Sequence, residues 1–420
     1  MRILLLTQVV PFPPDAGPKI KTYNVLRYLA QRHEVHLASF VRSAKEEEAA
    51  QSLASYCASV TTVPLRRSRG RDVVALGRSL ATGRSFLVER DDSRAMRVAI
   101  ADLLERHQFD AVHADQLTMG QFAVGLPVSL HVLDEHNAVW TIVRRAAAQE
   151  HWGPKRLLAE LEWRKLRGYE GDLCRRFDDV TVVSEQDAAD LAGATGAALH
   201  AEVIPIAVDT DELPFVARGP AARHVVSVAT MFYPPNIEGI HWFATEVFPS
   251  IRRAVPGTEF RVVGARPPAH IQQLSGPESG IVVTGYVQDL DPILDESAVL
   301  VVPLHSGSGM RVKIVEAFSR GIPIVSTTVG VEGIDARAGE HLLVADDPRD
   351  FAAAVSRLLQ DPIEAARLAR AGRELVESRY DWRTALVGLD RIYSADLAGA
   401  QPGGAVLHGD DRRPLRATRP

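Results

Sequence analysis

The chain has 420 residues, 46% of them apolar and 24% charged, the proportions of a folded protein rather than a disordered one. At roughly 100–200 residues per domain, this length predicts two or three domains. Its 48 basic and 53 acidic side chains leave a net charge of −5, which excludes the broad cationic field of a bulk nucleic-acid binder. The two cysteines, Cys57 and Cys174, stand far apart without a C-x-x-C spacing. No disulfide framework or four-cysteine zinc site follows from them, and a reducing cytoplasmic setting is expected.

The first residues, MRILLLTQVVPFPPD, hold an apolar run too short for a signal peptide or a membrane span. No later stretch reaches about 18 uncharged apolar residues. The expectation is a soluble chain, attached at most to a membrane surface.

Short β-branched runs alternate with longer helical patterns. Ile3–Thr7 reads as a buried strand, Lys19–Gln31 as a helix and Val35–Phe40 as the next strand. Ala111–Ala114, Val128–Leu133 and Val180–Val183 continue the series. A second series begins with the strand His224–Ala229 and the helix Ile237–Ala254, followed by the strand Glu259–Gly264. Further strands fall at Ile281–Thr284, Val299–Pro303, Ile322–Ser326 and His341–Val344, with a helix over Met310–Arg320. Asp347-Pro348 and Asp361-Pro362 each supply an N-cap and a first-turn proline for two later helices. Strands separated by helices predict right-handed βαβ units and mostly parallel sheets.

The pattern thus predicts an α/β chain with two doubly wound domains, over 1–215 and 222–375. The linker is expected around Leu213–Arg223, which holds Pro214, Gly219 and Pro220. A helix over 376–398 is expected to return toward the N-terminal domain, and 399–420 reads as a disordered tail. Two stretches are basic. Residues 64–84 carry six arginines against Asp72, and residues 151–167 set five cations beside Trp152 and Trp163. They read either as solvated helix faces or as a peripheral contact with an anionic membrane.

The strongest local signal is His305-Ser306-Gly307-Ser308-Gly309-Met310-Arg311-Val312-Lys313, between a strand and a helix. Glycines let backbone approach a ligand, and free N–H groups at a helix start favour anions. Cations in a first helical turn oppose the macrodipole, a placement that a bound diphosphate would offset. Arg311 supplies a forked contact and Lys313 a point charge. Glu316 lies about one turn on, within reach of a ribose diol. No G-x-x-x-x-G-K-[ST] is present, so a P-loop is excluded.

Together with ATMFYPPNIEGIHWFATEVFPSIRRAVPGTEFRVVG and PFPPDAGPKIKTYNVLRYLAQRHEV, the segment GSGMRVKIVEAFSRGIPIVSTTVGVEGI resembles the retaining GT-B glycosyltransferases of family 4. The resemblance implies two Rossmann-like domains facing a central cleft. It implies a nucleoside-diphosphate sugar donor on the C-terminal domain, an acceptor hydroxyl on the N-terminal one, and no cofactor or metal. Arg311 and Lys313 match the family's pyrophosphate cations, and Glu316 matches the second carboxylate of its E-x7-E pattern. Ser308 stands where the first carboxylate would fall, leaving the backbone amides of Gly307–Met310, those of Ser308, Gly309 and Met310 included, to line the donor sugar. Gly17 matches one glycine of the family's first loop, or is a turn glycine needing positive φ, with Lys19 beside it. His136, in Asp134-Glu135-His136-Asn137, is the first catalytic candidate. Lys19, Asp134 and Glu135 are acceptor-side candidates, while His113 and Asp115 are weaker rivals and His131 reads as packed. Asn236 is expected near the donor or as an N-cap, and Val287 near the base. The alternatives left open are a non-catalytic nucleotide-sugar binder of the same fold and an epimerase.

Overall fold

Leu4, Leu5 and Leu6 in succession, with Ile3 before them, can be buried together only in a strand covered on both faces. That strand, β1 (Arg2–Thr7), sits at the centre of a parallel sheet. Around it lie β2 (Glu34–Val41), β3 (Ser59–Pro64), β4 (Ala111–Asp115), β5 (Leu130–Glu135), β6 (Asp179–Val182) and β7 (Ala201–Val203). The spatial order is β3-β2-β1-β4-β5-β6-β7, the doubly wound arrangement. The computed structural model describes residues 1–219, 224–307 and 309–394. The tail expected over 399–420 and Ser308 therefore lie outside the described residues.

The chain forms two units. Among the described residues, the first comprises Met1–Pro205 and 385–394; the second runs from Ile206 to Thr384. The second holds its own parallel sheet of β8 (His224–Val228), β9 (Glu259–Val263), β10 (Ile281–Gly285), β11 (Ser297–Val302), β12 (Ile324–Ser326) and β13 (Leu343–Val344). Its order, β10-β9-β8-β11-β12-β13, repeats the winding of the first. Each sheet has its own core, one around Leu4, Phe40, Val112 and Leu133, the other around Phe243, Phe260, Val301 and Phe351.

The division falls earlier than the expected linker, and the reason is long-range bonding. Leu213 O accepts from Ser319 Oγ (2.8 Å) and from the Arg373 guanidinium (2.8 Å), and Val216 N–H donates to Arg320 O. These bonds tie 206–219 to the second unit despite the prolines and glycine. The expected single helix over 376–398 is broken too. The helix Pro362–Arg379 ends, a short turn Trp382–Ala385 follows, and a separate helix covers Gly388–Ser394. Asp381, between them, caps this break by accepting from the N–H of Arg383 and from Thr210 Oγ1.

The helix expected over Ile237–Ala254 begins instead at Pro234 and contains a π-helical turn at Phe243–Val247. Pro249 has no N–H for an ordinary helical bond, and the wider turn accommodates it. It also lets both Phe243 and Phe248, five residues apart, meet Phe260 in the core. The two Asp-Pro starts form as expected. Asp347 accepts from Arg349 N–H, and Asp361 from Ile363 and Glu364 N–H.

Candidate functional site

In open α/β sheets, ligands bind beyond the carboxyl ends of the strands where the winding reverses. In the second unit that point lies between the adjacent strands β8 and β11. The loop after β11 carries Gly307 at φ +117° and Gly309 at φ +82°, left-handed conformations that favour glycine. A Cβ on Gly307 would come within 2.8 Å of Arg311 Nη2 and 3.0 Å of Tyr233 Oη. The loop backbone is thus set between a guanidinium from its own end and a phenol from the loop after β8.

Arg311 occupies the cap position of the helix Val312–Ser319, and Lys313 its first turn. The Lys313 ammonium donates to Val228 O at 3.2 Å, at the end of β8. Burial, with Arg311 beside it, pushes its pKa down to about 7. A cation held there is short of counter-charge, the electrostatic state of a site that gains from an anion. Met310 is buried beside the loop, and Glu316 lies half-buried further along the helix.

Asn236 is not an N-cap. The helix starts two residues before it, with Pro234 at its first position, and Asn236 Nδ2 instead donates to Thr230 O at 3.0 Å. Asn236 therefore holds the loop after β8 in shape. That helix approaches β11 closely, because a Cβ on Gly239 would strike Pro303 O at 2.0 Å. Val287 follows β10 on the same carboxyl edge, two strands beyond β8. Arg311, Lys313, Gly309 and Asn236 thus meet at one switch point, and Val287 lies away from it. Sequence reasoning missed Tyr233, although it directly precedes the Pro-Pro-Asn run.

In the first unit the register places Thr7, Asp115 and Asp134 in one row across β1, β4 and β5. A buried polar cluster forms there. The Lys21 ammonium pairs with Asp134 Oδ1, both nearly without solvent contact, and Thr181 Oγ1 donates to the same oxygen at 2.6 Å. His136 Nε2 lies 3.0 Å from Asp115 Oδ1 and 3.7 Å from Asp134 Oδ2. Thr22 Oγ1 lies 2.8 Å from Asp115 Oδ1. Burial opposes ionisation of Asp134, yet Lys21 and the two histidines hold it well below the ordinary carboxylate range. Burial also opposes a charged His136, but Asp115 and Asp134 outweigh it and raise its pKa. His136 Nδ1 is buried with no protein partner.

Glu135 is fully buried without a hydrogen-bond partner, and burial, Glu170 and Asp134 raise its pKa well above the ordinary value. Lys19 pairs with Asp15 at 2.9 Å, one turn before it. Gly17 is the first residue of the helix Gly17–Ala30 rather than a left-handed turn glycine. His131 is bonded by Asp178 and Leu126 O, apart from the cluster. Lys21, Thr22 and Thr181 escaped sequence reading; a lysine among the buried residues of that helix was the available signal.

Asp115, Asp134 and His136 bring ligand-type atoms within 4.8 Å of one another. Their charges are already matched by Lys21 and by His136 itself, so the cluster reads as two internal ion pairs rather than as a cation seat.

The model of "Glycosyl transferases group 1" matches residues 222–361, and that of "Glycosyltransferase Family 4" matches residues 20–212. The chain is 28% identical over 249 residues to a glycogen synthase of Mycobacterium tuberculosis, which covers 56% of this chain and 58% of the relative. The chain spans about half the length of the curated relatives it matches. Sucrose-phosphate synthase from Thermosynechococcus elongatus superposes with a TM-score of 0.66 at 18% identity, over 95% of this chain and all of that one. Anabaena HepE, solved with UDP and glucose, gives 0.65 at 16% identity, over 94% and 100%. These likenesses show the GT-B fold, and no described helix is long and apolar enough to cross a membrane. With both halves matched in order over most of its length, the chain belongs to the group 1, family 4 glycosyltransferases.

Proposed function

We propose that this protein transfers a sugar from a nucleoside diphosphate to an acceptor hydroxyl with retention at the anomeric carbon. The observation that supports this most is the meeting of Arg311, Lys313 and two left-handed glycines at the switch point of the second sheet. There the sugar–phosphate C–O bond breaks, and its electron pair leaves on the β-phosphate. Arg311, Lys313 and the N-terminus of Val312–Ser319 are fixed in advance where that charge develops, which lowers the barrier electrostatically. The acceptor oxygen forms its bond on the same face, and its proton passes to the departing phosphate. Glu316 takes the ribose diol, and Val287 lies against the base.

On the first unit, His136 has Nε2 committed to Asp115. Nδ1 is the atom left to donate to a sugar or acceptor hydroxyl. Asp134 and Glu135 stand beside it on the acceptor side, with Gly17 and Lys19 at the neighbouring strand end. The acceptor belongs to a glycan, a lipid-linked saccharide or a small molecule, and polysaccharide or glycoconjugate synthesis in the cytoplasm is the expected setting. Peripheral membrane contact through the basic stretches belongs to the same reading. HepE, a structural neighbour, was solved with UDP and glucose, which favours a nucleotide-sugar donor for this chain as well.

The test is release of nucleoside diphosphate from UDP-, GDP-, dTDP- and ADP-sugars, with and without EDTA. Slow release from one donor, undiminished by EDTA, is expected. Absence of release and of binding for all four overturns the reading.

A further inference from the structure

We propose that Gln116 is a specificity residue for the acceptor, and that the acceptor is a polyhydroxylated ring, a saccharide or polyol, rather than an isolated alcohol. The inference rests on the transferase reading and adds to it the class of acceptor.

Gln116 joins β4 to the helix Leu117–Ala123 with no other residue between them. A strand that becomes a helix within one residue bends sharply, and Gln116 takes the bend at φ +72° and ψ 153°. That conformation is essentially glycine's alone, because a side chain there crowds the backbone. Two backbone bonds hold the bend. Gln116 N–H donates to Asp134 O at 2.8 Å, and Gln116 O accepts from Met119 N–H at 3.0 Å. A glycine would make both bonds without the strain, so they do not account for a glutamine. Nor does its side chain bond the fold together, because the amide Nε2 is buried with no partner in the protein.

This residue stands at the switch point of the first sheet, where β1 and β4 lie side by side. The same edge holds other buried atoms without protein partners. They are Thr7 Oγ1 at the end of β1, Asp115 Oδ2 at the end of β4, Thr118 Oγ1 in the first turn of the helix, and His136 Nδ1 one residue beyond β5. Thr7 and Asp115 are partners in register, as are Asp115 and Asp134. Buried polar atoms are seldom unpaired, and five of them belong to one strand edge here.

The mixture of atoms selects the ligand. The Gln116 Nε2 group only donates, Asp115 Oδ2 accepts, and the threonine hydroxyls do either. A phosphate or carboxylate brings acceptors alone and leaves Asp115 Oδ2 unmatched. An ammonium brings donors alone and leaves the amide unmatched. Hydroxyl groups donate and accept at once, so a ring that carries several of them satisfies both kinds of atom. An alcohol with a single hydroxyl would leave the amide or the carboxylate oxygen unpaired away from water, a penalty that such sites turn into discrimination. One ring hydroxyl reacts beside His136 Nδ1, and a second falls to Gln116.

The test is transfer by the full chain, from whichever of the four nucleotide sugars it cleaves, to methyl α-glucoside, methyl α-mannoside, methyl α-galactoside and their monodeoxy analogues. Octan-1-ol is the single-hydroxyl probe, and wild type is compared with Gln116→Gly. Wild type is expected to use at least one glycoside and not octanol. Removal of one particular ring hydroxyl should lower its kcat/KM at least about tenfold. Gln116→Gly should raise the KM for that glycoside at least about tenfold and lose nothing further on that deoxy analogue. Its thermal midpoint should rise by about 2 °C or more, because glycine relieves the strained backbone. A glutamine with a merely structural role would move neither the acceptor KM nor the deoxy profile. The proposal is overturned by a variant with the wild-type KM, by a variant that keeps the wild-type deoxy profile, by a midpoint that does not rise, or by transfer to octanol. Donor cleavage without transfer to any glycoside overturns the acceptor assignment alone. Absence of donor cleavage by wild type overturns the transferase reading, and the acceptor assignment falls with it.

Discussion

Tyr393 Oη lies 2.7 Å from His113 Nδ1, joining the last described helix to the middle of β4 across 280 residues of chain. Both side chains are buried. Burial, with Asp134 nearby, raises the phenol's pKa well above its ordinary value, so it stays protonated and donates. His113 Nδ1 is then the acceptor, and Nε2–H faces Asp134 Oδ2 at 3.6 Å. The pair therefore ties the returning segment to the buried cluster that holds His136.

Tyr393→Phe leaves the buried Nδ1 without its donor. The expected loss is about 1–3 kcal/mol of stability in urea unfolding of the full chain. Unfolding at the wild-type midpoint would show that the bond contributes nothing.

This link also marks where sequence reading stops. The two Asp-Pro helix starts were legible because the cap and the N–H groups it satisfies lie within three residues. The glycine loop and its cations were legible because one strand end and one helix start hold them all. The Lys21–Asp134 pair spans 113 residues and the Arg373–Leu213 bond 160. No local pattern announces such partners, so a buried lysine and the true unit boundary were missed. Strands β3 and β7 went unread because neither is a fully buried run. The N-cap reading of Asn236 depends on a helix start at Ile237, three residues after the actual start at Pro234.

Lys21→Met removes the cation beside Asp134 and leaves a buried carboxylate without its main counter-charge. A loss of about 3–5 kcal/mol is expected. Adding Asp134→Asn to Lys21→Met should recover part of it, since the uncompensated charge goes too. A double variant less stable than Lys21→Met would contradict the ion-pair assignment.

Lys313 gives a pH-dependent signature. Its folded pKa, about 7, lies below the ordinary 10.5, so between these values the unfolded chain holds a proton that the folded one has released. Stability without ligand should therefore rise with pH across that window. A diphosphate favours the ammonium, so binding at pH 8 should take up a proton. Calorimetry in two buffers of different ionisation enthalpy reads this uptake. Lys313→Met should abolish it; equal uptake in both proteins would place the titrating group elsewhere.

His136→Gln should keep donor binding and lose turnover by at least about tenfold, since Nδ1 no longer serves as a charged donor. Asp115→Asn should lower the pKa of His136, which histidine NMR titration reads directly. An unmoved His136 titration would mean that Asp115 does not hold the imidazole charged.

The most direct measurement is calorimetric titration of the full chain and of Arg311→Ala with the four nucleoside diphosphates in EDTA. Tight binding of one nucleotide by wild type is expected, weakened at least about tenfold in the variant by the lost charge-assisted contact, worth about 1.5–3 kcal/mol. Equal affinity in both proteins, or no binding of any nucleotide to wild type, would contradict a phosphate site at the switch point of the second sheet.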